Sequence, residues 1–343
     1  MSLPTIDLSL MLLNAENLFL LSDSPLEESH LDLEPHRWSA LSTSVFENKP
    51  VEKCKSLAKI ITENQSDIVM LCEVGGFESL ANFNRLFLKD QYSPILIEGN
   101  SDRHIDVGFL VRKGLPFYFD LHSNKNRPIN YLYPFERENL DNPTVGKTAQ
   151  GAPSHKFSRD AAELHLFKKD REKPFAIFIL THLKSRLDPE GVDPNGFERR
   201  QAELKTLIEL YNEIENKFKG QVPISVCGDF NGNASGWSTD SEFLYLYQET
   251  ALKDVCSLAG LSPEESATYY QVNRSARPEG RQIDFCFLSP RMKQYLTPDS
   301  VQVYRYKNHL GQPIDPPTTL DAKSKLPSDH YPILFSLKQL PIS

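Results

Sequence analysis

The carboxylate, amide and imidazole side chains that could do chemistry in this sequence stand where apolar runs stop. Asn14 and Glu16 follow the run SLMLL, Glu73 follows DIVMLC, and His182 ends AIFILTH. Asp229 and Asn231 close PISVCGDFN, while Asp329 and His330 stand directly before YPILFSL. Asp284 lies inside QIDFCFLS, between Ile283 and Phe285. Residues two apart on extended chain share a face, so Asn14 aligns with Glu16 and Asp229 with Asn231. At strand ends such side chains leave the packed interior and reach a common rim.

A carboxylate held among apolar neighbours is costly unless a cation balances it. One such residue needs no special account. Glu16, Glu73, Asp229, Asp284 and Asp329 at comparable positions point instead to a shared oxygen-ligand site for a hard divalent ion. Magnesium, with manganese as a substitute, takes one or two carboxylates, several waters and phosphate oxygens. It polarises a phosphoryl group and steadies the departing oxygen. Histidines beside such a cluster, His182 and His330, supply a donor or proton carrier near neutral pH.

Taken singly, these residues suit ordinary structural roles. Asp229-Phe230-Asn231-Gly232 is turn chemistry, Asn14 suits a cap, and His182 suits a hydrogen-bonded core. All of those roles would have to hold at once. Their coincidence is the weaker reading.

The segments NAENLF, DIVMLCEV, THLKS, CGDFN, QIDFCFLS and SDHYPILFSL, in that order, resemble the motifs of the endonuclease/exonuclease/phosphatase superfamily. Each motif is weak alone, but six in the family's order, spanning residues 14–337, are specific. The resemblance implies an α/β (α+β) fold, a four-layer α/β/β/α sandwich of two mixed, mainly antiparallel sheets with outer helices. It implies Glu73 as the main magnesium ligand, with Asn14 and Glu16 close by. Asp229 would orient or deprotonate the attacking water, and Asn231 would hold the phosphate. His330 would contact a phosphate oxygen, with Asp329 as a metal-side ligand and Asp284 orienting the imidazole. His182 matches the family's second histidine, at the scissile phosphate or its leaving group. Arg159, just before AAELHL, is a further candidate phosphate contact, since arginine bonds phosphate oxygens bidentately.

These side chains need strands to carry them. Apolar runs at residues 9–13, 67–72, 94–98, 107–112, 162–168, 175–180, 223–227, 282–288 and 331–337 read as strands. Helical spacing appears over residues 50–64, 77–88, 197–218 and 242–248. Many strands are continuously apolar, so both faces are covered. Two sheets packed together with helices outside fit this count better than one doubly wound sheet. We expect a single domain over residues 1–343, with residues 114–158 as a long substrate-side insertion. That insertion mixes Lys125, Arg127, Lys147, Lys156 and Arg159 with Tyr131, Tyr133 and Phe157. The mixture suits phosphate contact and base stacking, and equally suits a solvated loop.

Bulk properties narrow the function classes. With 343 residues and 39% apolar content the chain can bury a sizeable core, which argues against wholesale disorder. A net charge of −8 argues against coating nucleic acid by bulk attraction, and makes a metal more necessary for handling phosphates. Five scattered cysteines without a CxxC pair suggest a reducing, cytoplasmic setting. The apolar stretch 8–13 has no preceding Lys or Arg and is cut by Asn14, so neither a leader nor a membrane span is expected.

The leading expectation is therefore a magnesium-dependent phosphodiesterase, a nuclease that cleaves DNA or RNA by direct water attack. The alternative keeps the chemistry but takes a small phosphate ester, such as an inositol phosphate or cyclic nucleotide, or a sphingolipid. A non-catalytic binding module is a third reading, since fold and function separate.

Overall fold

Apolar residues on successive strands sort by parity into two cores. In Ala176–His182, Ala176, Phe178 and Leu180 face one core while Ile177 and Ile179 face the other. The same split separates Cys286 and Leu288 from Phe285 and Phe287 in Asp284–Leu288. This is why the runs carry no polar alternation: both faces are packed.

The computed structural model describes residues 4–141, 154–168, 173–188, 191–272 and 277–342. The strands are β1 (Thr5–Leu18), β2 (Ile68–Val74), β3 (Tyr92–Leu96), β4 (Asp106–Arg112), β5 (Tyr118–His122), β6 (Ala161–Phe167) and β7 (Ala176–His182). They continue as β8 (Ile224–Asp229), β9 (Lys253–Asp254), β10 (Tyr269–Gln271), β11 (Glu279–Arg281), β12 (Asp284–Leu288), β13 (Gln302–Val303) and β14 (Ile333–Pro341). The α-helices are α1 (Pro35–Ser39), α2 (Val51–Glu63), α3 (Gly76–Phe87), α4 (Pro134–Asp141), α5 (Phe197–Lys217), α6 (Leu244–Glu249), α7 (Val255–Leu258) and α8 (Leu320–Ser324).

One six-stranded sheet runs β13-β14-β1-β2-β4-β3 and the other β5-β6-β7-β8-β12-β9. Only β1–β2 and β7–β8 pair in parallel; the other ladders among the described residues are antiparallel. The mixed, mainly antiparallel expectation holds. Helices α2 and α3 bury Leu57, Ile61, Leu80 and Phe83 against the first sheet, and α5 buries Leu204, Leu207, Ile208 and Tyr211 against the second. The order is helix, sheet, sheet, helix.

Strand β1 extends further than its apolar core, carrying Asn14 and Glu16 inside it rather than beyond it. Residues 118–122, expected from sequence to belong to a polar insertion, form β5 at the edge of the second sheet against β6. Tyr131 and Phe157 are buried in the core under α5, so neither ring is free to stack on a base. Arg127 is drawn onto α5 by Glu213, Nη1 to Oε2 at 2.8 Å. Lys147 lies outside the described residues. All five cysteines are buried and unpaired, and among the described residues no helix is long and apolar enough to cross a membrane.

Candidate active site

Register places three site residues in one row. Strands β7 and β8 pair with His182 opposite Asp229, and β8 and β12 pair with Asp229 opposite Asp284. Parity puts all three side chains on the face between the sheets, because Leu180, Cys227 and Cys286, each two residues away, belong to that core. The row depends on a glycine. A Cβ on Gly228 would lie 1.8 Å from the carbonyl oxygen of Thr181, so β7 and β8 close up only without one.

The opposite sheet supplies the rest. Asn14 reaches across from β1, its Nδ2 donating to Asp229 Oδ2 at 2.9 Å. Glu73 follows Cys72, whose thiol points between the sheets toward the Thr181 carbonyl. Regular alternation would turn Glu73 the other way. Its φ of 60° breaks that alternation, and Glu73, His182 and Asp229 each offer a ligand atom within 4.8 Å of the others. Asn231 sits at φ 52°, Glu16 at 50° and Asn17 at 53°, so sparsely populated backbone gathers around this rim, as it does at functional sites. The Asn17 amide donates to Glu73 Oε2 at 3.1 Å.

His330 enters from the loop before β14. Its Nδ1 lies 2.8 Å from Asp284 Oδ2, and its Nε2 lies 3.9 Å from Asp229 Oδ2. His182 Nε2 approaches the same Asp229 oxygen at 3.6 Å. Burial first, then the Asp284 carboxylate, pushes Asp229 up to about 7, with His330 pulling it down. Burial works against a charged His330, yet Asp284, Asp229 and Asp329 together hold its pKa well above the usual value. Burial and the nearby Arg159 and His330 cations drive His182 well below. The two imidazoles thus sit in opposite surroundings: those of His182 favour the neutral ring, those of His330 the protonated one.

Asn231 donates its backbone amide to Asp229 Oδ1 at 2.8 Å and its side chain to the Leu183 carbonyl at 3.0 Å. Arg159 is buried, with Nη1 3.2 Å from Ser158 Oγ and its Nε without a partner. Glu16 and Asp329 do not join the row. Glu16 Oε2 is held by Lys53 at 2.9 Å and Lys49 at 3.3 Å, and Asp329 Oδ2 by Lys323 at 3.2 Å. Asp329 stays at the edge, its Oδ1 3.9 Å from His330 Nε2.

Two supporting residues could not be picked out by the chemistry of the sequence motifs. Ser328 accepts the His330 amide at 3.1 Å and donates to the Asn14 carbonyl at 2.7 Å, tying the loop before β14 to β1 beneath the site. Its place in the SDHYP motif was the available signal. Glu203 of α5 is buried and accepts the amides of Ser158 at 2.8 Å and Lys184 at 2.7 Å, fixing the loops beside Arg159 and His182. Nothing in its helical sequence marks it.

A hard cation fits this donor set. Glu73, His182 and Asp229 form one group of candidate ligand atoms and Asp229, Asp284 and His330 a second that shares Asp229, and among the described residues Asp284 Oδ1 and His182 Nδ1 are buried without a hydrogen-bond partner.

No family model and no curated protein matches the sequence. Solved structures do. A TDP2 from D. rerio, complexed with single strand DNA product, aligns with a TM-score of 0.54 at 15% identity, covering 96% of this chain and 98% of that one. The human Nocturnin catalytic domain with bound sulfate anion gives 0.52 at 17% identity, covering 98% and 96%. An endonuclease/exonuclease/phosphatase family protein from Bacteroides thetaiotaomicron gives 0.52 at 13%, covering 98% and 99%. The chain has the endonuclease/exonuclease/phosphatase fold. At these identities the likeness is one of fold, and in this fold the chain sets its polar row at one end of the cleft between the two sheets.

Proposed function

We propose that this protein hydrolyses phosphodiester bonds in a nucleic acid, with Mg2+ (or Mn2+) as cofactor and water as the direct nucleophile. The observation that carries the reading is the row His182, Asp229 and Asp284, with His330 poised over its middle member. Neighbours of the same fold include one solved with a single-strand DNA product, which supports a nucleic acid as substrate.

Glu73 would hold the metal, with Asn14 beside it, and Glu16 and Asp329 are outer candidates behind their lysines. The bound ion would supply Lewis-acid polarisation of the phosphoryl group. Asp229, pushed up to about 7, is matched to take a proton from water near neutral pH. Asn14 and the Asn231 amide fix its two oxygens, so its orientation is set before substrate arrives. His330, kept protonated and oriented by Asp284, would donate to a non-bridging phosphate oxygen as negative charge builds there. Neutral His182 and buried Arg159 flank that position and would steady the phosphate or the leaving oxygen. The second N–H of the Asn231 side-chain amide would serve the same task. Water attacks phosphorus, the bond to the leaving oxygen breaks, and the proton from water passes to Asp229.

The test is nicking of supercoiled plasmid with Mg2+, run beside single-stranded RNA and small phosphate esters. Asp229→Asn and His330→Ala should abolish turnover while the melting temperature stays near wild type, and EDTA should silence the wild-type protein. Full activity in either variant, or in excess EDTA, removes the reading; preference for a small ester moves the substrate.

A further inference from the structure

Beside the row lies a cavity of about 520 Å³ that the proposed reaction does not use, lined by Arg186, Asn233, Trp237, Asp240, Arg281 and Gln282, among others. It adjoins the site through backbone. Arg186 Nε donates to the Asn231 carbonyl at 3.2 Å. The lining residue Ile283 precedes Asp284, and its carbonyl accepts the amide of Phe230, the residue after Asp229, at 2.8 Å.

Trp237 stands 46% exposed in this wall, whereas Trp38, the only other tryptophan, is buried at 2%. A large ring left in water inside a concave polar site offers a flat apolar face to an incoming planar group. The loop that carries it is held firm. Asp240 Oδ2 accepts the Asn233 amide at 2.9 Å and Arg186 Nη2 at 2.6 Å, and Tyr247 Oη donates to the Ala234 carbonyl at 2.6 Å.

The charges of the cavity cancel. Arg186 pairs with Asp240 at 2.6 Å and Arg281 with Glu279 at 3.0 Å. Among the described residues a phosphate would find no unbalanced cation here, and a lipid chain would strand the polar lining. A phosphorylated inositol would bring several anionic groups that the already paired arginines leave unmatched. The complementary group is neutral, planar and polar at its edge, which describes a nucleobase.

We propose that this cavity is a nucleobase subsite, in which Trp237 stacks on a base flanking the scissile phosphate while the half-exposed side chains of the paired Arg186 and Arg281 meet its polar edge. The inference rests on the nucleic-acid reading above and locates where that substrate is gripped. Its volume lies within the range of small-ligand sites.

The test is binding of two short single-stranded phosphorothioate oligodeoxynucleotides in EDTA, one with bases and one built on abasic sugars. Because Trp38 is buried, a change in tryptophan emission on binding reports Trp237. The base-bearing oligomer should quench emission and bind more tightly than the abasic one. Trp237→Leu should weaken it by about 5- to 150-fold, the loss expected for one base–aromatic stack. Trp237→Phe should keep most of the affinity and lose the quenching. Equal binding of the two oligomers, or wild-type affinity in a folded Trp237→Leu protein, overturns the subsite. Hydrolysis of bis(p-nitrophenyl) phosphate by the wild type with Mg2+ is followed alongside. Failure there removes the proposed reaction without touching the binding result.

Discussion

His330 and Asp284 come from segments 46 residues apart and meet at 2.8 Å, Nδ1 to Oδ2, with both side chains buried. The carboxylate fixes which imidazole nitrogen faces the cleft and favours the protonated ring. Asp284→Asn should therefore lower kcat/KM for plasmid by roughly 10- to 100-fold. The pH profile separates this from simple loosening. Asp284 raises the pKa of His330, so its removal lets the imidazole lose its proton at lower pH. The alkaline limb of kcat/KM should move toward acid, and an unmoved limb in Asp284→Asn would show that His330 does not act as the charged donor.

Glu73 and Glu16 separate by partner. Glu73 takes a backbone amide on one oxygen and otherwise looks into the cluster, whereas Glu16 is held by two lysine ammonium groups. If Glu73 carries the metal, Glu73→Gln should weaken Mg2+ binding in calorimetry by about tenfold or more, a loss typical even of residues behind the ligands. Glu16→Gln should leave Mg2+ affinity within about threefold, because its charge is already matched by Lys49 and Lys53. The reverse ranking would reassign the ligand.

What could be read from sequence and what could not divides along one physical line. Strand ends carrying His182, Asp229 and Asp284 were legible because a fully apolar run with an abrupt polar end marks a buried strand reaching a rim. Their alignment into one row was not, since register between strands is a long-range property with no local code. The turn of Glu73 into the cleft depends on a left-handed backbone that propensity disfavours. The lysines on Glu16 start a helix more than thirty residues on, in a segment whose sequence signal is its apolar period. Strand β5 and the burial of Tyr131 were hidden because an edge strand among polar residues lacks the hydrophobic pattern of a central one.

Gly228 makes a structural prediction at the heart of the row. A methyl group there meets the Thr181 carbonyl carbon at 2.8 Å and its oxygen closer still. The neighbour is backbone of a central strand, so it cannot swing aside. Gly228→Ala should cost more than about 3 kcal/mol in denaturant unfolding, within the class of severe overpacking. Activity should fall even in the folded fraction, since His182 and Asp229 would be pushed apart. A variant with wild-type stability would mean that β7 and β8 are not paired as described.

Asp254 gives a pH dependence free of the catalytic groups. It lies buried at the start of α7, its Oδ2 accepting Gln282 Nε2 at 3.0 Å and the Ser257 amide at 3.3 Å. Burial dominates those bonds and pushes its pKa up to about 6. An unfolded aspartate titrates near 3.9, so between about pH 4 and 6 the native state holds the extra proton. Stability from this group is complete below that window and is lost as pH rises through it. Two pKa units correspond to about 3 kcal/mol as an order of magnitude. Asp160 is raised to about 6 and Asp229 to about 7, so the absolute curve mixes several groups. The difference between wild type and Asp254→Asn isolates one of them. Unfolding free energies from denaturant titration should show wild type losing about 3 kcal/mol relative to Asp254→Asn between about pH 4 and 6, and no further change from about 6 to 8. A difference that stays flat through the lower window would mean that the carboxyl is ionised as readily in the native protein as in the open chain, and that water reaches it.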